Sequence, residues 1–153
     1  MKITVESPDQ PEVIALIEEL DAYQDSLYPP EARYALDLAS LCQPDVVFVA
    51  ARDALGHAPG CGAVVLRPQH GEIKRMYVRP AARGQGVARR LMQALEHAAR
   101  ARGCRQLLLE TGPRQPEALA FYTREGFERR GPFGSYPDHP LSVFMGKDLI
   151  PSP

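Results

Sequence analysis

Two glycines between a strand and a long helix form the part of the sequence whose residue types best suit ligand chemistry. They lie in the segment from Arg83 to Ala88, which reads RGQGVA. From Val87 the apolar residues recur at helical spacing, which predicts an amphipathic helix up to Arg102. A glycine turn at the start of a helix leaves several backbone N–H groups without intrahelical partners. Together with the helix dipole, these groups make a candidate anion-binding site.

The neighbours of this turn distinguish it from an ordinary strand-to-helix connection, which two glycines alone would favour. Four arginines flank the turn, and their charge favours a polyanionic ligand: Arg79, Arg83, Arg89 and Arg90. No Lys-Ser or Lys-Thr pair follows the glycines, so the segment is not a P-loop. The dinucleotide motif G-x-G-x-x-G is also excluded, because it needs a glycine where Arg89 stands.

The spacing of Arg83, Gly86 and Ala88 resembles the acyl-CoA signature of the GNAT superfamily of N-acetyltransferases. In that signature Arg or Gln is followed by two residues, Gly, one residue, and Gly or Ala. The Val-x-Pro that ends the preceding strand and the later stretch LLLETGPRQPEALAFYTREGF resemble the family as well. The resemblance covers residues 45–148. It implies that the protein transfers the acetyl group of acetyl-CoA to a primary amine by direct attack, without a metal. The acceptor that carries this amine, a small molecule or a peptide, stays open.

The resemblance also implies the fold. We expect a mixed α/β domain whose central sheet is mostly antiparallel, with one splayed pair of parallel strands and helices on both faces. The order of elements after residue 71 independently makes the strands at 72–78 and 105–110 parallel neighbours. In the family, the pantetheine arm lies in the gap between these two strands.

The residues expected to contact acetyl-CoA follow from the same resemblance. The central strand would contribute Met76, Tyr77 and Val78, with a backbone N–H of this strand polarising the thioester carbonyl. The turn and the helix start would bind the pyrophosphate through Arg83, Gly84, Gln85, Gly86, Val87, Ala88 and Arg89. Gln115 occupies the position where many relatives carry asparagine, seven residues before a tyrosine.

That tyrosine, Tyr122, is the candidate acid that protonates the leaving thiolate, because it lies in a stretch matching the family pattern A-x-x-x-Y-x-x-x-G-F. Without the motif, a single tyrosine on a helix would be read as a core residue. Glu72 is the candidate base that accepts the proton of the amine, directly or through water. Burial in a cleft would raise its pKa, whereas pairing with Lys74 or Arg75 would lower it. Other candidates for the base stay open. They are Glu110, a water chain, and the loop histidines His70 and His139.

The remaining sequence predicts the elements that position these residues. Alternating or continuous apolar runs predict strands at 2–6, 46–52, 61–67, 72–78, 105–110, 127–130 and 141–148. Besides the long helix, three helices are predicted. The first follows a capping box of Asp9 and Glu12 and has Leu27 on its apolar face. The other two are predicted at 31–41 and at 116–124. A turn is predicted at 69–71. One domain would cover residues 1–149, with a short tail at 150–153.

Composition restricts the class of protein. The chain has 153 residues and a net charge of −1, which argues against general nucleic-acid binding. Three scattered cysteines (Cys42, Cys61 and Cys104) indicate reduced, buried thiols, and neither a signal peptide nor a membrane span is recognisable. We therefore expect a cytoplasmic protein. Many relatives in the GNAT superfamily pair, so the resemblance allows a homodimer. A CoA-binding regulatory module without turnover is the alternative to an enzyme.

Overall fold

Among residues 1–149, which this computed structural model describes, seven strands and four α-helices form the fold. The strands are β1 Lys2–Val5, β2 Val46–Arg52, β3 Gly60–Leu66, β4 His70–Val78, β5 Gln106–Thr111, β6 Glu128–Arg130 and β7 Val143–Asp148. The helices are α1 Pro11–Asp25, α2 Leu38–Leu41, α3 Val87–Ala101 and α4 Pro116–Arg124, with 3₁₀ turns at Pro30–Ala32 and Pro80–Ala82. The predicted tail at 150–153 lies outside the described residues.

The sheet opens where β4 and β5 meet. The strand order is β1-β2-β3-β4-β5-β7-β6, and every neighbouring pair is antiparallel except β4 and β5. The parallel register joins only residues 70–72 of β4 to residues 106–108 of β5. Beyond it β4 continues to Val78 without β5 as a partner. The predicted mixed sheet with a splayed parallel pair is therefore confirmed.

Helices cover both faces of the sheet, as predicted. On one face, α3 buries Val87, Leu91, Met92, Leu95 and Ala99. On the other face, α1 buries Val13, Leu16, Ile17 and Leu20. Alternate residues of β2 reach the two cores, with Val49 in the first and Phe48 in the second. Within residues 1–149, no helix is both long enough and apolar enough to cross a bilayer.

The start of α1 differs from the prediction. Its N-cap is Gln10 and not Asp9, and no side chain caps the helix. The carboxylate of Glu12, which a capping box would use locally, accepts a hydrogen bond from the Ala58 N–H at 2.6 Å instead. It also accepts one from Arg52 at 2.7 Å. The capping-box prediction was wrong because a long-range contact takes up this carboxylate.

The helix predicted at 31–41 does not form as one element. A 3₁₀ turn and the four residues of α2 are separated by an extended linker at 33–37. The Asp37 carboxylate accepts a hydrogen bond from the Ser40 N–H at 2.8 Å, so it caps α2 and fixes its start. Carbonyl groups of the linker bond to side chains of β4, which is a tertiary contact that helical periodicity does not reveal.

Three smaller predictions also differ from the structure. The first helix ends at Asp25, so Leu27 lies beyond it and not on its apolar face. The turn at 69–71 is shorter than predicted, because β4 already begins at His70. All three cysteines are free, but Cys42 is exposed, whereas the other two are buried as expected.

The ion pair between Glu6 and Arg52 predicts how the fold responds to acid. Arg52 donates two hydrogen bonds to Glu6, at 2.6 and 3.0 Å, and these lower the pKa of the Glu6 carboxyl group from 4.5 to about 2. A lowered pKa contributes stability above the unfolded value, and this stability is lost as the pH falls toward the folded value. The contribution reaches roughly 3 kcal/mol and disappears between about pH 4.5 and about pH 2.

We therefore expect Glu6→Gln to be less stable than the wild type near neutral pH, and the difference to vanish toward about pH 2. Urea denaturation of both proteins over this range measures it. A difference in unfolding free energy that stays constant from neutral to acidic pH would contradict the prediction.

Candidate active site

The two-glycine turn and the start of α3 form one wall of a cleft of about 960 Å³. Gly84 and Gly86 have φ angles of 79° and 78°, in the left-handed region that glycine adopts without strain. Open space lies beside both residues, where a ligand can approach the backbone. The first bond of α3 runs from the Arg90 N–H to the Gly86 carbonyl. The N–H groups of residues 87–89 thus lack intrahelical partners, which suits a phosphate ligand.

Ten of the eleven residues predicted to contact acetyl-CoA line this cleft: Met76, Tyr77, Val78, Arg83, Gly84, Gly86, Val87, Ala88, Arg89 and Gln115. The remaining one, Gln85, is exposed and does not line the cleft. Tyr23 of α1 lines it as well. Sequence reasoning did not assign Tyr23 to the cofactor side, because nothing in its local pattern indicates that α1 reaches the cleft.

Two arginines at the cleft differ in how firmly the protein holds them. The Arg83 Nε donates to the Val78 carbonyl at 2.9 Å, and its guanidinium lies 5.9 Å from the ring centre of Tyr77. Arg89 is 69% exposed and lies 4.0 Å from Glu125. Arg83 is therefore held beside the turn, whereas Arg89 adds an exposed positive charge to the lining of the cleft.

A bulge in β4 brings residues 76–78 to the cleft. The register between β3 and β4 slips by one residue, so that Arg75 and Met76 both lie opposite Gly62. Arg75 has a φ angle of 58°, which is uncommon for a residue with a side chain. A β-carbon at Gly62 would lie 2.4 Å from the Met76 sulfur, so glycine makes room for this arrangement. Sequence reasoning missed the bulge, since its left-handed residue is neither glycine nor asparagine.

A second, smaller cavity of about 110 Å³ adjoins the cleft. The two spaces share the residues Leu20, Met76, Gln115, Ala118 and Tyr122. Tyr28 and Tyr34, which follow α1 in the chain, line this cavity. Glu110, near the end of β5, lines it from the sheet. The cavity thus lies on the opposite side of Tyr122 and Met76 from the glycine turn.

Tyr122 lies between the cleft and the cavity. Its side chain projects from α4, and the residue is 9% exposed. Its ring packs against Phe127, with 5.7 Å between the ring centres. Burial raises the pKa of the hydroxyl group, so the phenol stays protonated at neutral pH. A protonated hydroxyl at this junction is able to donate a proton to a group that leaves along the cleft.

The two glutamates considered as bases have different surroundings. Burial raises the pKa of Glu110 to about 7, and the positive charge of Lys74 opposes part of this rise. Glu72 is also buried, but it does not line the cavity. Its carboxylate accepts a hydrogen bond from the Tyr136 hydroxyl at 2.5 Å and lies 3.3 Å from the Lys74 ammonium. The carboxylate that faces the cavity is therefore that of Glu110.

His70, which begins β4, and His139, which lies in a loop, are outside both spaces. His139 accepts a hydrogen bond at Nδ1 from the Leu141 N–H at 3.0 Å, which stabilises its own loop. His70 packs against the ring of Phe133, and burial lowers the pKa of its imidazole. Neither residue lines the cleft or the cavity.

The chain is similar to known proteins over most of its length. The profile of the Acetyltransferase (GNAT) family matches residues 13–127. The IAA acetyltransferase of Azospirillum brasilense is 49% identical over 149 residues, covering 96% of this chain and 97% of the relative. The uncharacterised N-acetyltransferase YsnE of Bacillus subtilis is 34% identical over 152 residues, covering 97% of this chain and all of the relative.

Solved structures share the fold. A Klebsiella pneumoniae protein described as an acyl-CoA N-acyltransferase has a TM-score of 0.83 and 43% identity, covering 97% of both chains. An aminoglycoside 6′-N-acetyltransferase complexed with coenzyme A has a TM-score of 0.77 over all of this chain and 99% of that one. At 18% identity, the second structure shows likeness of fold alone.

The glycine turn leads to a prediction for cofactor affinity. We expect Gly86→Glu to weaken acetyl-CoA binding by about 10²-fold or more, because a side chain and a negative charge would stand where phosphate groups approach. Isothermal titration calorimetry measures the affinity. Gly56→Glu is a matched control, since Gly56 has a φ angle of 83° and open space beside it but lies in the β2–β3 turn. Equal acetyl-CoA affinities of the two variants would show that the glycine turn is not the anion-binding site.

Proposed function

Because the chain belongs to the acetyltransferase (GNAT) family and is an acetyl-CoA-dependent N-acetyltransferase, we propose roles for its own residues in transfer to a primary amine. Acetyl-CoA lies in the 960 Å³ cleft, with its phosphates at Gly84–Ala88. The amine enters the 110 Å³ cavity and attacks the thioester directly. The observation that carries this proposal is the position of Tyr122, which lines both spaces.

Glu110 is proposed as the base. An amine with a pKa near ~10.4 is neutral in only about one part in 10³ at pH 7, so attack requires loss of a proton. Glu110 lines the acceptor cavity, and its pKa of about 7 allows it to accept a proton near neutral pH. Glu72 is the alternative, acting through water, but its carboxylate already bonds to Tyr136. The surroundings of the two carboxylates support Glu110 over Glu72.

Tyr122 is proposed as the acid. When the new carbon–nitrogen bond forms and the carbon–sulfur bond breaks, the sulfur needs a proton to leave as a thiol. The Tyr122 hydroxyl supplies it, since burial keeps this group protonated. The first proton, which Glu110 takes from the ammonium, passes to solvent. After attack the nitrogen carries one more proton than the amide needs, and this second proton also leaves through Glu110, while Tyr122 regains a proton from solvent. Starting from the ammonium, the products are the amide, the CoA thiol and one released proton.

The cavity restricts the part of the acceptor that it can receive. Its volume of about 110 Å³ is smaller than the ~150 Å³ cavity that holds a benzene molecule. The wall combines aromatic rings, such as those of Tyr28 and Tyr34, with the carboxyl group of Glu110. We therefore propose that a narrow amine-bearing arm enters, while the rest of the acceptor stays outside. A cytoplasmic location and a homodimer remain predictions of the sequence.

Thiol release from acetyl-CoA with a panel of primary amines tests the proposal. The panel consists of n-butylamine, benzylamine, tryptamine, spermidine and L-lysine. We expect release with at least one amine. Binding of acetyl-CoA without amine-dependent release would favour a regulatory module.

The variant Tyr122→Phe tests the acid. We expect its turnover to be lower by about 10²-fold with unchanged acetyl-CoA affinity. Equal turnover of Tyr122→Phe and the wild type at every pH would show that Tyr122 serves only in packing.

The pH dependence of turnover separates the two candidate bases. With Glu110 as the base, the wild-type rate should rise with pH through a limb near its pKa of about 7, because only the ionised carboxylate accepts a proton. Glu110→Gln should lose this limb and recover partly at alkaline pH, where the amine is neutral. Glu72→Gln is the matched variant and should keep the limb. Loss of the limb in Glu72→Gln alone would assign the base to Glu72.

A further inference from the structure

The extended linker at 33–37 is held by two consecutive cations of β4. Its residues Tyr34, Ala35 and Leu36 line the 110 Å³ cavity, and we call them the acceptor wall. The wall belongs to no helix or strand. Its position therefore depends on tertiary contacts rather than on hydrogen bonds of a regular element.

Lys74 is the first of the two cations. Its ammonium donates to the Tyr34 carbonyl at 3.0 Å and to the Tyr136 hydroxyl at 2.5 Å. The Tyr136 hydroxyl in turn donates to Glu72. Because Lys74 also lies 3.3 Å from Glu72, its charge is balanced and its bonding capacity is used. It fixes one end of the acceptor wall.

Arg75 is the second cation and holds the other end. Its Nε and Nη2 both donate to the Leu36 carbonyl, at 3.1 and 2.9 Å, and its Nη1 donates to Asp21 at 2.6 Å. The side chain is only 6% exposed. Asp21 also accepts a hydrogen bond from Arg33, at 2.9 Å, just before the wall. One guanidinium thus joins β4, α1 and the linker through bonds that a shorter or single-headed side chain does not reproduce.

The same residue forms the bulge of β4. Its φ angle of 58° is unfavourable for a side chain, and such a backbone conformation persists only where surrounding contacts impose it. The next residue, Met76, lines both the cleft and the cavity. A displacement of Arg75 would therefore change the acceptor wall and the strand beside the thioester together.

We propose that Arg75 is a positioning residue that fixes the acceptor wall against the bulge of β4 and so determines which amines fit the cavity. The role in acceptor choice rests on the proposed function, in which this cavity receives the amine. Arg75 lines the cavity, but its guanidinium bonds to the Leu36 carbonyl and to Asp21. It acts through the Leu36 carbonyl, which it holds in place, and through Met76, whose backbone its conformation directs.

The first test follows the wall itself and needs no substrate. Arg75→Gly removes the guanidinium but tolerates the left-handed backbone, so the fold is retained without strain at this position. We expect amide hydrogen exchange of residues 33–37, followed by mass spectrometry, to become at least about tenfold faster. Arg52→Gln is the control, because Arg52 also bonds to α1, through Glu12, but lies away from the cavity. Exchange at 33–37 that is equal in Arg75→Gly and Arg52→Gln would overturn the proposal.

The second test follows acceptor choice. With n-butylamine, benzylamine and tryptamine as probes, Arg75→Gly should raise the KM of the preferred amine by about tenfold and reduce the differences in kcat/KM among the three. The KM of acetyl-CoA should stay unchanged. Arg75→Lys should recover at most part of the wild-type KM and preference, since one ammonium cannot replace the three hydrogen bonds that the Arg75 guanidinium donates. Ratios of kcat/KM among the three amines that are the same in Arg75→Gly and in the wild type would overturn the role in acceptor choice.

The two tests separate two kinds of failure. If the wild type releases no thiol with any amine, the proposed function is wrong. The exchange measurement still decides whether Arg75 fixes the wall, because it depends on the fold alone.

Discussion

The end of hydrogen bonding between β4 and β5 is the constraint on which the rest of the structure depends. Only three residue pairs join these strands before they separate. A parallel pair that opens in this way creates a gap inside the sheet without exposing a full edge, because β3 and β7 still bond to the outer sides. The cleft, the cavity and Tyr122 all lie at this gap. Since β4 continues past the point of separation, its bulge directs the backbone toward the gap.

The charged groups around the cavity are paired in a way that leaves one carboxyl group, that of Glu110, with little compensation. Buried charges are tolerated when they are paired, and most of those near the cavity are. Lys74 satisfies Glu72, and Arg75 shares Asp21 with Arg33. Glu110 faces the cavity with less compensation, and burial raises its pKa toward neutrality. The network thus stabilises the wall while it leaves one group free to exchange protons.

The sequence predicted elements whose signals are local. The strand at Val46–Arg52 and the helix at Pro116–Arg124 were predicted with their observed bounds, because hydrophobic runs and prolines delimit them. The glycine turn was equally predictable, since a left-handed backbone at a helix start leaves few alternatives to glycine. The linker at 33–37 and the start of α1 were not, because long-range bonds to Arg75 and Arg52 override local propensity. The bulge at Arg75 and the choice between two glutamates depend on tertiary packing that no local pattern expresses.

The tyrosines that line the site have a spectroscopic consequence. The chain contains no tryptophan and six tyrosines. Five of the tyrosines border the cleft or the cavity: Tyr23, Tyr28, Tyr34, Tyr77 and Tyr122. The sixth, Tyr136, donates to Glu72 beside the acceptor wall. Nearly all intrinsic near-ultraviolet emission of this protein therefore originates beside the cleft and the cavity, so a ligand that enters either space would change the tyrosine signal without a label.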